Sequence, residues 1–164
     1  MKNIGRLQTL LAIACILSGF LAGENIYRYV LEIPAWRHIN IINWGEYSRH
    51  ADLSYRGIFL LPTEAIVSAL LLLIASIIIL SQKETFKSAT WPVHSATIFA
   101  LIGLGFTFFA APYMLSVRTM PDDPVLLQHT FNRFHFWGAW RATAQVLSFC
   151  TTAWAMTKVF KSEK

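Results

Sequence analysis

Four polar side chains interrupt the apolar runs of this sequence at one level. Glu24 lies in the run 8–30, Glu64 in 57–80, Tyr113 in 93–117 and Arg141 in 135–159. At about 1.5 Å per helical residue, each sits roughly four to six residues inside the same end of its run. A charge in hydrocarbon costs about 2.5–3.5 kcal/mol, so carboxylates and a guanidinium at matched depth are expected to face one another. Two chemistries suit such a group. One is a polar site for a ligand or a reaction, richer in polar groups than a single ion pair needs. Alternatively the charges form a structural ion network that sets helix register, with Arg28 bonded to Glu24 one turn away.

Asn25, Arg28, Tyr113, His129, Arg133 and His135 belong to the same third of the molecule and are the candidate binding residues, with Trp137 and Trp140. Trp137 and Arg141 are one turn apart, so a flat ring could stack on the indole while the guanidinium meets its oxygen. The aromatics Phe131, Phe134, Phe136, Trp137 and Trp140 read equally as a membrane-interface belt. Metal is the competing possibility: His38, His50, His129 and His135 with Glu24 and Glu64 supply enough ligand types. No HxxxH, HExxH or ExxH spacing supports it, so no metal or other cofactor is expected. Phosphate-binding loops, nucleophile elbows and dinucleotide fingerprints are also missing from the sequence. Cys15 and Cys150 fall within apolar runs and read as small buried hydrophobes.

The elements that must carry these residues follow from composition. Of 164 residues, 55% are hydrophobic and 14% aromatic, too apolar for a soluble domain. Each of the four runs reaches the about 20 residues that cross a hydrocarbon core. The expected fold is an all-α integral membrane four-helix bundle, a single domain over 1–164, with Pro34 closing the first helix. An external loop over 31–56 follows, with room for a short interfacial helix. The segment "MPDDP" makes a short turn before the last span.

The net charge of +5 is spread over loops and helix ends rather than gathered in a run, which argues against nucleic acid. All six lysines and Arg6 fall at the N-terminus, in the 81–91 loop and at the C-terminus. The other seven arginines, with seven of the nine acidic residues, fall on the opposite side. Lys plus Arg alone is therefore tied between the sides. Lysines with few acidic neighbours read as free anchors, placing both termini in the cytoplasm of a multi-pass protein of the cell membrane. Lys2 and Arg6 precede an apolar run without a small-x-small cleavage site, so the segment is read as a retained helix rather than a signal peptide.

The pattern resembles the anthrone oxygenase-like family of small four-helix membrane proteins. The matching residues are Gly23 followed by Pro34-Ala35, "FTFFAAPYM" at 106–114 and "FHFWGAWRAT" at 135–143, with Arg141 and Thr143. Where other members tend to carry an Asn beside the third-helix Pro and an Asn or His before the last-helix Arg, this chain has Ala111, Tyr113 and Gly138. The resemblance implies oxidation of an anthrone-like aromatic to a quinone by dioxygen without a bound cofactor, with Glu24, Glu64 or His135 as the base that removes a phenolic or benzylic proton and Arg141 holding the resulting oxyanion. The expected partners are membrane lipids and a small apolar aromatic ligand, with self-association as a further option. The alternative is a non-enzymatic module, an accessory subunit or lipid-binding protein with a buried ion network. External arginines converging in a cavity favour the enzyme; arginines dispersed on the rim favour the module.

Overall fold

A computed structural model describes residues 2–82 and 85–161, and within them the chain is all-α. Lys83, Lys164 and Ser162 lie outside the described residues. The first helix, α1, joins an α-helical stretch Lys2–Tyr27, a π-helical turn Arg28–Glu32 and a last α-helical turn and a half Ile33–His38. It is followed by α2 (Ile41–His50), α3 (Tyr55–Ser81), α4 (Lys87–Ser116) and α5 (Pro124–Lys161). α1 packs on α3 and α5, and α4 packs on the same two helices.

Three helical stretches are long and apolar enough to cross a membrane: 4–38, 55–81 and 87–116. α5 is the longest helix, at 38 residues, but is not among them. Its expected span over 135–159 carries Gln145, Ser148 and Thr152, which are 7%, 2% and 0% exposed and point into the protein. The surface is the reverse of a soluble protein's. Phe20, Phe59, Ile77, Leu80 and Phe108 are exposed, while alanines 14, 69, 75, 89, 96, 100 and 155 fill the interior of the end that holds the termini. Small residues at the contacts let backbones approach where lipid removes any hydrophobic drive to associate. Cys15 is half-buried and Cys150 exposed, so the second is not the buried hydrophobe expected.

Pro34 does not end the first helix. A proline lacks the N–H that would meet the carbonyl four residues back, and its ring clashes there. The π turn immediately before it widens the backbone: the Ile33 N–H donates to the Arg28 carbonyl, five residues back. The helix therefore passes the proline and runs to His38. Most of the expected loop 31–56 is consequently helical. α2 starts at Asn40, whose side chain accepts from the Ile42 N–H at 3.0 Å, the usual N-cap arrangement.

The turn between α2 and α3 is clamped from both sides. Ser54 Oγ accepts from the Gly57 N–H at 3.0 Å. A Cβ on Gly57 would overlap the Ala51 carbonyl and come within 2.7 Å of the Asp52 carbonyl, so the turn closes only against glycine. Arg49 ties α2 to the α4–α5 connection, donating to the carbonyls of Val117 at 3.0 Å and Met120 at 2.8 Å and to Asp122 at 2.8 Å. α5 begins where the Asp123 side chain accepts from the N–H groups of Val125 and Leu126 and Pro124 takes the first turn.

Candidate functional site

Three elements meet at the α2 end of the bundle, and each carries part of one polar group. The π turn supplies Arg28 and Glu32, the clamped turn supplies Asp52, and α2 supplies Tyr47. Arg28 Nη2 reaches Asp52 at 2.7 Å and Arg28 Nε reaches Glu32 at 3.2 Å, with side chains only 12%, 16% and 20% exposed. The Tyr47 hydroxyl donates to the other Glu32 oxygen at 3.3 Å. Burial, reinforced by the Glu32 and Asp52 carboxylates, holds the Tyr47 phenol above its usual range, so it stays a donor.

His135 of α5 lies beside this group. Its ring packs against Phe131 at 4.1 Å between centroids, Phe134 at 5.3 Å, Tyr29 at 6.3 Å and Trp44 at 6.4 Å. The residue is 9% exposed, and neither Nδ1 nor Nε2 has a hydrogen-bond partner. Leaving a buried polar atom unmade costs about 1–3 kcal/mol. Arg28, Glu32, Asp52, Tyr47 and His135 line a narrow cleft walled by Ile33, Trp36, Trp44 and Phe134. Its interior has room for about one water molecule.

The remaining candidate residues are scattered. Among the described residues the ion pairs are Arg28–Glu32, Arg28–Asp52 and Arg49–Asp122, so the network expected of Glu24, Glu64 and Arg141 is not formed. Arg28 pairs forward with Glu32 and not back with Glu24. The guanidinium of Arg141 instead lies 5.7 Å from the centre of the Phe134 ring, a cation–π contact. Glu24 and Glu64 are half-buried and outside the cleft lining. Asn25 is buried deeper in the bundle, donating to Gln145 and to the Leu21 carbonyl.

Trp137 stacks with Phe109 at 5.0 Å and Phe106 at 6.3 Å, while the Arg141 guanidinium lies over Phe134 instead. Trp140 is exposed beside Phe106, and Tyr113 packs on the apolar core of this end. His129 and Arg133 are exposed, as are Arg37, Arg56 and Arg118. The arginines are thus mostly dispersed on the rim, with Arg28 alone of those on this side lining the cleft. Among the described residues no group of three His, Cys, Asp or Glu side chains is placed to hold a metal ion.

Glu32, Asp52, Trp36, Trp44 and Tyr47 were not among the residues singled out by sequence. The available signal was the Arg28–Glu32 spacing, an i,i+4 pair in the less favoured base-first order that competes with Glu24–Arg28. The chain is an all-helical protein with three helices able to cross a membrane and one mixed polar and aromatic cleft at the α2 end. No family model, curated protein or solved structure matches it.

Proposed function

We propose that the protein is a four-helix bundle of the cell membrane, with both termini in the cytoplasm, that binds a small flat ring bearing hydrogen-bonding oxygen in the cleft at His135. The observation that carries this reading is the imidazole with two buried, unpartnered nitrogens. In its neutral form it offers one donor and one acceptor, which a phenol- or quinone-like ligand can meet. Trp36, Trp44 and Phe134 offer ring faces on the way in. Lipid is itself apolar, so selectivity must come from the polar end, where His135, Tyr47 and the Arg28–Asp52–Glu32 group lie together. A ring needs more room than one water, so the cleft must widen to admit it. The dispersed arginines favour a binding module over an enzyme. An oxygenase-like reaction on an anthrone-like ring is the second reading; it would need His135 as the base, and an imidazole packed among aromatic rings beside Arg28 is a weak one. The test is saturable quenching of tryptophan fluorescence by a hydroxylated anthraquinone, since Trp36 and Trp44 line the cleft.

Orientation is checked separately. Ser48 is 0% exposed and unsuited to a labelling site, whereas Asn43 on the same helix is exposed and Ser88 is exposed in the first turn of α4. A cysteine at Asn43 is expected to react with an impermeant thiol reagent in intact cells and one at Ser88 to be protected. The opposite pattern would invert the topology.

A further inference from the structure

A second cavity lies between all four long helices, deeper than the cleft. It is lined by Ser18 of α1, Ser68 of α3, Ala100 of α4 and Gln145 and Ser148 of α5, and these side chains are 2–9% exposed. Three of the polar groups have partners that fix their direction. Asn25 Nδ2 donates both to the Leu21 carbonyl at 2.6 Å and to Gln145 at 2.5 Å. A carbonyl can only accept, so the Asn25 atom facing Gln145 is a nitrogen and the Gln145 atom it meets is the oxygen. The Gln145 Nε2 protons are left for the cavity. Ser18 Oγ donates to the Cys15 carbonyl at 3.2 Å and Ser148 Oγ to the Ala96 carbonyl at 3.1 Å, leaving the lone pairs of both oxygens free.

Ser68 is the exception. A serine inside a helix usually returns its hydroxyl to a carbonyl three or four residues back, as Ser18 does. Ser68 is 3% exposed, lines the cavity and makes no hydrogen bond. A polar cavity of this size has room for about one water molecule.

We propose that the centre of the bundle is a binding site for a single water. It accepts from Ser68 Oγ and Gln145 Nε2 and donates to Ser18 Oγ and Ser148 Oγ. The two donors and two acceptors match the four hydrogen bonds of water without remainder. No charged residue lines the cavity, so a cation there would have no compensating carboxylate. The site also explains why α5, the least apolar of the long helices, sits in the bundle at all. Gln145 and Ser148, which lower its hydropathy, find their partners in Asn25 of α1, the Ala96 carbonyl of α4 and the proposed water. This assignment stands whether or not the cleft at His135 takes a ligand.

Xenon distinguishes the possibilities, because it enters dry apolar cavities and not hydrated polar ones. Crystals of the full chain grown in lipid and pressurised with xenon are expected to show a water peak between Ser68, Gln145, Ser18 and Ser148 and no xenon there. In Ser68→Ala crystals the water is expected to be lost or weakened; Ser18→Ala serves the same purpose if the first variant does not fold. Xenon in the parent cavity would overturn the proposal. So would a collapsed cavity in which Ser68 has turned to the Glu64 carbonyl, since the hydroxyl would then need no water.

Discussion

Arg28→Leu is expected to be among the most damaging single substitutions, lowering stability in detergent by an amount on the order of 3–5 kcal/mol. The reason is the state left behind. Glu32 and Asp52, 20% and 16% exposed at their side chains, would face each other without the guanidinium that now bridges them. Asp52→Leu should cost less, because Arg28 keeps Glu32. The double variant should be less damaging than the sum of the two, with a coupling of about 0.5–3 kcal/mol. Melting curves of the parent, the two single variants and the double variant would show it; strict additivity would mean that the observed contact contributes nothing. Glu24→Leu combined with Arg141→Leu should be additive, since those residues share no ion pair. Coupling there would restore the network expected from matched depth.

His135→Phe is expected to move stability the other way. The imidazole buries two polar atoms with no partner, against about 1–3 kcal/mol for each buried group left unsatisfied. Its neighbours Phe131, Phe134 and Trp44 offer a ring-shaped site to a ring of similar shape. A phenylalanine should therefore raise the melting temperature, by an amount corresponding to about 1–3 kcal/mol, less the strain of the slightly larger ring. Such a rise would support the proposed binding role of the imidazole, since a group that costs stability can be retained for function. A fall in melting temperature would mean that the imidazole already has what it needs, for instance a resident water.

Matched depth paired residues that the structure leaves apart, for a reason visible in α1. Counting at 3.6 residues per turn placed Arg28 one turn from Glu24 on the same face of the first helix. The π turn at 28–32 inserts an extra residue into the helix and rotates everything after Tyr27 relative to that count. Arg28 and Glu32 thereby face α2 and the Asp52 turn. A periodicity argument cannot register this, because the turn leaves no mark in composition. Pro34 was visible and was read by its commonest effect, termination, when the backbone before it had already been widened to admit it. The helical content of 31–56 was hidden by the same assumption, and with it Trp36, Trp44 and Tyr47.

Other parts were legible. The apolar run at 57–80 matches the helix found at Tyr55–Ser81 to within a few residues, because a long apolar run broken by a single charge leaves little choice in hydrocarbon. The prolines and aspartates of "MPDDP" marked the turn before α5, where Asp123 caps the helix. α5 was the hardest to judge. Its aromatic entry suggested a span, yet the residues that decide its environment, Gln145, Ser148 and Thr152, matter through what they face, which only packing reveals. Trp137 illustrates the same limit: one turn from Arg141 in sequence, it stacks with Phe106 and Phe109 in space.

The most direct measurement is a titration of the purified protein in detergent with a dihydroxyanthraquinone, followed by tryptophan fluorescence, for the parent, His135→Phe and Arg118→Gln. The parent and Arg118→Gln, altered on the exposed connection between α4 and α5, are expected to quench saturably with the same midpoint. His135→Phe, although at least as stable, should bind about 5- to 150-fold more weakly, the equivalent of 1–3 kcal/mol for a lost buried hydrogen bond. Quenching that never saturates and is the same in all three proteins would mean that the ring merely partitions into the micelle, and would contradict the assignment of the cleft as a binding site.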